Sequence, residues 1–193
     1  MSDGPEYDPD KTTPEQLLER KAPAGDIIQL YHGTDEDSAQ KIKAHGPKRL
    51  GKPFHDFAMG RDTAFYMTTM RETAVLFAKE RAETLAGAKA AVVSITMRRD
   101  KVVMYEFAVD KVNLWRELVD YNRDTDREEN RPQHVIVQEH NVVAGWISTK
   151  SKTHGRVPVA YKDQAGVYHF DWQYVVVQDA ALEALGEITV ELV

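Results

Sequence analysis

Three separated stretches of the sequence carry an imidazole, an aromatic ring or an amide where an apolar run begins or ends. The first run starts at Ile27 and ends in the tetrad YHGT, which contains His32. The second ends just after Tyr66, beside two threonines, and the helical pattern that follows can turn Phe77 toward the same space. The third begins at Gln173. Strand ends open to solvent often carry binding residues, so this pattern predicts a cleft lined by an imidazole donor, aromatic faces and an amide.

Each of these residues also has an ordinary structural interpretation. Thr34, followed three residues later by Asp37, has the form of a helix capping box, and Gly33 is then a turn residue. Tyr66 is then the edge of a core, and Gln173 an exposed strand residue. The functional interpretation is favoured because the same break in the apolar pattern recurs on three strands.

The elements that must position these side chains are strands and helices in no regular alternation. The first strand is DIIQLYHG, and a helix across Asp35–His45 follows, with Ala39 and Ile42 inward and Gly46 as its terminator. Residues 46–62 are predicted to be a loop. Further strands are predicted at TAFYMTT, AAVVSITM, KVVMYEFAV, HVIVQ, NVVAGWIS, GVYHFDWQYVVVQ and EITVEL, with helices at MRETAVLFAKERAETLA, Asn113–Tyr121 and DAALEAL. Because no strand–helix–strand rhythm is present, the predicted class is α+β with a largely antiparallel sheet.

The chain divides into a leader and one domain. Residues 1–24 are rich in Pro, Asp, Gly and Lys and poor in apolar residues, which predicts a flexible N-terminal leader with at most one short helix, at Pro14–Arg20. Residues 25–193 are enough for a single domain with a real core.

Composition excludes several classes of function. The chain has 25 Lys and Arg against 31 Asp and Glu, a net charge of −6, which disfavours an extended nucleic-acid footprint. It has no Cys, and its seven His show no metal-binding spacing, so no metal is expected. A superficial phosphate-loop match at Gly46–Pro53 follows a helix and lacks the Ser or Thr that holds magnesium. No membrane span or signal peptide is seen, so a cytoplasmic location is expected, although export by a dedicated machine leaves no such trace.

The motifs YHGT, GRDTAFYMTTMRETAVLFA and WQYVVVQDAAL, in this order, resemble the ADP-ribosyltransferase superfamily. The likeness is to its diphtheria-toxin-like, His-Tyr-acid branch, which includes the poly(ADP-ribose) polymerases. A closer likeness is to a group of small, little-characterised microbial proteins of that superfamily, whose signature also has a W-x-x-(F/L)-V-x-x-N-R helix, here LWRELVDYNR. The resemblance covers about residues 28–187 and implies an ADP-ribosyltransferase-like catalytic domain with split, mostly antiparallel sheets and flanking helices.

The resemblance implies that NAD is the co-substrate and assigns residues that hold it. His32 corresponds to the histidine that hydrogen-bonds the nicotinamide ribose, and Gly33 to the residue whose backbone bonds the carboxamide. Thr34 is expected beside the adenosine-side ribose or as a helix cap. Arg61, in the loop before the Tyr strand, is expected to approach the pyrophosphate.

The resemblance also assigns the groups around the departing ring. Tyr66 is expected to stack on the nicotinamide and Phe77 to close the opposite face. Gln173 stands where polymer-forming relatives have a catalytic Glu, and an amide can bond a ribose hydroxyl but cannot carry charge or accept a proton. Asp171 is a candidate substitute acid, with a structural role favoured. A Gln173→Glu change is expected to raise turnover if the missing carboxylate is what limits the site.

The implied function is NAD-dependent mono-ADP-ribosyl transfer, with His32, Tyr66 and Gln173 as the catalytic set. The missing Glu makes polymer elongation doubtful. The acceptor is unknown, with a protein, a nucleic acid and a small molecule all open, and so is the oligomeric state. The alternatives are NAD hydrolysis, a non-catalytic sensor that binds NAD or ADP-ribose, and an interaction domain with no nucleotide site.

Overall fold

The computed structural model describes residues 18–20, 22, 24–51, 56–57, 63–123, 132–151, 155–162, 165 and 168–193. Helices α1 to α4 span Glu36–His45, Arg71–Glu83, Val112–Arg123 and Val135–Glu139. The strands, β1 to β12 in chain order, are Leu18–Arg20, Ile27–Asp35, Leu50–Gly51, Thr63–Thr68, Ala90–Arg98, Met104–Glu106, Val142–Trp146, Ser148–Ser151, Gly155–Pro158, Ala160–Lys162, Tyr168–Val176 and Leu185–Leu192.

Most of the described strands form one sheet in the order β12-β5-β2-β4-β11-β7-β6. Strands β1 and β10 pair with the first half of β11, β3 pairs with β4, and β8 and β9 form a separate hairpin sheet. All pairings are antiparallel except β1 with β11 and β6 with β7. The prediction of an α+β fold with a mostly antiparallel sheet is therefore confirmed.

Strands β2 and β4 meet at a single residue pair. Tyr31 is opposite Thr68, and no further pair joins these two strands. Beyond that point β2 stays paired with β5 as far as Asp35, while β4 stays paired with β11. The sheet therefore separates between β2 and β4 immediately after Tyr31, and we call this place the seam.

Helix α2 and helix α3 cover the same face of the sheet. A Cβ on Gly33 of β2 would lie 1.9 Å from the carbonyl oxygen of Ala74, so the backbone of α2 packs directly on that strand. A Cβ on Gly145 of β7 would lie 2.9 to 3.3 Å from the rings of Phe107, Phe57 and, on α3, Trp115. Each glycine permits a close approach that any side chain would prevent. Strands β4 and β11 lie between these two covered regions.

The core is built around large aromatic side chains. The rings of Trp115 and Trp146 are perpendicular, with centroids 5.5 Å apart, and Trp172 lies 5.5 Å beyond Trp146. All three are fully buried, and the Trp115 indole donates to the Trp146 carbonyl at 3.2 Å. These contacts fix α3 over β7 and β11. No described helix is long and apolar enough to cross a membrane.

Two local predictions are wrong. The segment HVIVQ, predicted as a strand, lies largely in α4, where the His134 imidazole caps the helix by accepting from the Ile136 amide at 3.3 Å, and Ile136 and Val137 are buried. The predicted Thr34 cap is also displaced. Thr34 belongs to β2, and Asp35 is the N-cap of α1, accepting from the Ser38 amide and hydroxyl, each at 2.9 Å.

Other segments differ in extent. The predicted helix within the leader is in part strand β1, which pairs with His169 to Asp171 of β11, so residues 18–20 of that leader belong to the sheet. Of the predicted strand KVVMYEFAV only β6 forms, and the predicted loop 46–62 contains the short strand β3. The helix predicted at DAALEAL is a 3-10 helix over Asp179–Ala184 that runs straight into β12, so Gly186 does not end it.

Candidate active site

Gln173 occupies the middle of β11, between the seam strand β4 and β7. It is opposite Thr68 on one side and Gly145 on the other. Its amide nitrogen donates to the Asp56 carboxylate at 2.8 Å and to the Trp146 carbonyl at 3.0 Å. With 6% of its surface exposed, Gln173 is a buried residue with both amide hydrogens bound, and not an exposed strand residue.

Asp56 is a buried carboxylate that sequence analysis missed. It is 3% exposed and is held by the Arg123 guanidinium at 2.5 Å, by the Ser148 hydroxyl at 2.5 Å and by the Ser148 amide at 2.9 Å, besides Gln173. The Asn122 amide donates to its backbone carbonyl at 2.9 Å. The available signal was its place just before the GRDTAFYMTT motif, where an acidic residue precedes an aromatic one in a segment otherwise lacking apolar periodicity.

A second cation stands near this carboxylate. Burial lowers the pKa of Arg156, and the positive charge of Arg123 lowers it further, while the carboxylates of Asp56 and Asp120 act in the opposite direction. The guanidinium of Arg156 is 3.9 Å from Asp120. The environment of Asp56 is therefore cationic on the side of α3 and β9.

Tyr66 lies on the same face of the sheet as Gln173. It is opposite Val175, two residues from Gln173 along β11, and side chains two residues apart on a strand share a face. Its phenol oxygen accepts from the Phe57 amide at 3.2 Å, which ties it to the segment that carries Asp56. Tyr66 and Gln173 therefore lie on one face of the sheet, on neighbouring strands.

His32 reaches the seam from the other face. Strand alternation puts it opposite in direction to Tyr31, and its ring stacks against Phe65 with centroids 4.6 Å apart. Its Nδ1 is 2.7 Å from the Tyr66 carbonyl, which can only accept, so Nδ1 carries the proton. The imidazole therefore contacts Tyr66 through the main chain, and its side chain does not share the face of Tyr66 and Gln173.

Asp171, Thr73 and Tyr161 form a second buried group beside the first. Asp171 shares the face of Gln173 on β11 and accepts a hydrogen bond from the Thr73 hydroxyl of α2. Burial raises the pKa of the Tyr161 phenol, and the carboxylate of Asp171 raises it further. Phe77 of α2 is exposed and meets the Tyr161 ring edge-on, with centroids 6.5 Å apart. Phe77 therefore lies beside Tyr161, about one helical turn from Thr73, which bonds Asp171.

The remaining candidates have simpler placements. Gly33 lies one residue past the seam histidine, and the structure gives it a packing role, since a side chain there would meet α2. Thr34 is buried in β2 opposite Ala91. Arg61 lies outside the described residues. Among the described residues no group of three or more His, Asp and Glu side chains is arranged to hold a metal ion.

Comparison of the chain with models of known protein families finds no match, and comparison with curated proteins finds none either. The chemistry of the site must therefore be argued from its own geometry. A phenol, an amide and two buried carboxylates on one face, with an imidazole at the seam, can hydrogen-bond a polyhydroxylated ligand and stack a flat ring. Both described acids beside Gln173 are already hydrogen-bonded, so neither is a free base.

Proposed function

We propose that this chain is an NAD-dependent mono-ADP-ribosyltransferase, with the reaction at the seam between β2 and β4. The observation that carries the proposal is that His32, Tyr66 and Gln173, which are far apart in sequence, occupy three adjacent strands within two residue positions of one another. The single pair between β2 and β4 agrees with the split sheet that the resemblance implies.

The seam offers the groups that cleavage of the nicotinamide–ribose bond needs. Beyond Tyr31, no described strand pairs with β2 on its β4 side, so the main chain around Gly33 is placed where it can bond a carboxamide. The phenol of Tyr66 supplies an aromatic face, and Gln173 supplies a polar group for a ribose hydroxyl. The bond breaks through an oxocarbenium-like state, and a ring held by stacking and hydrogen bonds is the departing group.

Single-unit transfer is favoured over chain elongation. Gln173 cannot take a proton from an incoming hydroxyl, and the nearest carboxylate, Asp56, already receives four hydrogen bonds. Activation of a weak nucleophile is therefore poor at this site. The same observation favours NAD hydrolysis as the second candidate, because without a base to activate a specific acceptor hydroxyl, water competes through its much higher concentration.

The proposal is tested with NAD labelled in the adenylate portion and incubated with the purified chain, with and without cell lysate. Nicotinamide release together with label on an acceptor is the expected result, and release without labelled acceptor identifies a hydrolase. Tyr66→Ala and Gln173→Leu are expected to lower release by ~10²-fold or more. Matched controls are Tyr121→Phe and Gln178→Leu, which remove a phenol and an amide bonded to backbone carbonyls elsewhere.

Two results would contradict the proposal. Calorimetry that detects NAD binding, with no release over hours, would identify a sensor. An absence of binding in the wild-type chain, or identical titrations of the wild type and the His32→Ala and Tyr66→Ala variants, would remove the nucleotide site from this seam altogether.

A further inference from the structure

The orientation of the Gln173 amide is dictated by its neighbours. Its two N–H groups have two acceptors, the Asp56 carboxylate and the Trp146 carbonyl, at 2.8 and 3.0 Å. Rotating the amide by half a turn would bring its oxygen against two other oxygens, neither of which carries a hydrogen to donate. The nitrogen is therefore turned toward Asp56, and the carbonyl oxygen is turned away from it.

Asp56 is itself held so firmly that it can act as a fixed reference for that amide. The Arg123 guanidinium and the Ser148 hydroxyl bond one carboxylate oxygen, and the Ser148 amide bonds the other together with Gln173. The carboxylate is ion-paired with Arg123, and the Asn122 side chain fixes the adjoining main chain. A carboxylate with about four acceptor positions and four donors has no capacity left for a ligand.

The Gln173 side chain uses both of its amide hydrogens in these bonds, and no described residue donates a hydrogen bond to its carbonyl oxygen. We propose that Asp56 is a positioning residue: it holds the Gln173 amide so that only this oxygen is offered, and the site thereby selects a ligand that presents a hydroxyl donor there. This inference rests on the proposed function, in which the hydroxyl belongs to the nicotinamide-side ribose of NAD. Asp56 acts through Gln173 and does not touch the ligand.

A double-mutant cycle separates positioning from a merely structural role. The variants are Asp56→Asn, Gln173→Leu and the double substitution, with kcat and KM for nicotinamide release and the melting temperature measured for each. An asparagine can donate to the amide oxygen and allow the flipped amide, so Asp56→Asn is expected to lower kcat ~10-fold, the size of one misdirected hydrogen bond. In the Gln173→Leu background the same substitution is expected to change kcat by less than ~2-fold.

A charge-matched control is Asp179→Asn, which removes a carboxylate paired with the Nε of Arg49 outside the site, and it is expected to leave kcat unchanged. An NAD analogue without the ribose hydroxyl supplies a second readout. The wild type is expected to cleave this analogue ~10-fold more slowly than NAD. Gln173→Leu is expected to cleave the analogue and NAD at equal rates. Equal losses from Asp56→Asn in both backgrounds overturn the positioning role.

A further measurement does not depend on activity, or on the folding of Asp56→Asn. The side-chain amide protons of Gln173 are identified in ¹⁵N-edited NMR spectra as the pair absent from Gln173→Leu. Both are expected to exchange slowly with water, while rapid exchange of either one overturns the proposed orientation.

If the wild type releases no nicotinamide, the proposed function fails, and so does the inference that the Gln173 oxygen binds the ribose hydroxyl of NAD. If the wild type releases nicotinamide but the losses from Asp56→Asn and Gln173→Leu are additive, only the positioning role of Asp56 is overturned.

Discussion

Replacing Gln173 by Glu tests the local structure directly. By sequence reasoning, Gln173→Glu restores a missing acid and raises turnover. The structure changes that expectation because the amide nitrogen at this position donates to the Asp56 carboxylate at 2.8 Å and to the Trp146 carbonyl at 3.0 Å. An ionised glutamate turns both contacts into oxygen–oxygen contacts, one of them between two negative charges.

The magnitude follows from two routes open to the variant at pH 7. If the introduced glutamate stays ionised, repulsion between two charges ~4 Å apart costs about 4 kcal/mol at an effective dielectric constant near 20, before the attraction of Arg123 is counted. If it is protonated in the folded state, a carboxyl whose ordinary pKa is about 4.3 must keep its proton at pH 7, which costs about 3.7 kcal/mol. The cheaper route sets the loss. We therefore expect a loss of ~2 to 4 kcal/mol at pH 7, which is large for one domain.

The sign of the pH dependence is fixed by the same argument. The pKa of the introduced glutamate is raised in the fold, so the pH-dependent part of the loss is absent below its unfolded pKa and grows as the pH rises toward its folded pKa. At pH 5 the protonated route costs only about 1 kcal/mol. Nicotinamide release by Gln173→Glu is therefore expected to be highest, relative to the wild type, below neutral pH.

Urea unfolding of the wild type, Gln173→Glu and Gln173→Leu at pH 5 and pH 7 measures these losses. Gln173→Leu is the matched control, since it loses the same hydrogen bonds without adding a charge, and its loss relative to the wild type should not depend on pH. A loss for Gln173→Glu that is the same at both pH values, or that is larger at pH 5, would show that Asp56 does not contact this position as described.

Three other changes test separate parts of the structure. Gly33→Ala would place a Cβ 1.9 Å from the Ala74 carbonyl oxygen and is expected to cost ~1 to 3 kcal/mol or more in urea unfolding, whether or not NAD is present. Asp35→Ala removes the cap bonds to Ser38 and should cost ~1 kcal/mol. Burial raises the pKa of Asp35, but the hydrogen bonds from Ser38 lower it below its ordinary value. The stability contributed by this cap is therefore present above pH ~4 and is lost as the pH falls through the folded pKa of Asp35. Burial raises the pKa of Tyr161, so stability should fall as the pH rises above ~10, and Tyr161→Phe should fall less in the same titration.

Strand and helix pattern predicted most of the fold because periodicity reports burial directly. The runs at β2, β5 and β11 are apolar and β-branched, and the structure has strands there. The same reasoning failed at α4, where β-branched residues form a short helix whose first turn is capped by the His134 imidazole. Intrinsic preference is weak where a segment is only five residues long.

The face on which a side chain lies was harder to predict than its strand. Tyr66 and Gln173 share a face because their strands pair directly, and residues two apart keep the same direction. His32 does not share it, since the seam pair involves Tyr31, and one residue of offset reverses the direction of a strand side chain. Sequence can identify a residue at a strand end, but the register between strands far apart in the chain decides which way it points.

The site therefore contains a negative charge, although Gln173 itself is uncharged. Asp56 supplies a carboxylate in direct contact with Gln173, and the guanidinium of Arg123 is bonded to the same carboxylate. A neutralised ion pair stabilises a developing cation on the ribose less than an isolated carboxylate does, because the two fields oppose each other. If the reaction is NAD cleavage, slow turnover is the expected consequence, and Arg123→Gln should lower kcat further, because Asp56 then holds the Gln173 amide less firmly. An increase in turnover in Arg123→Gln, with the melting temperature preserved, would show that the Asp56 charge acts on the reaction directly and not through Gln173.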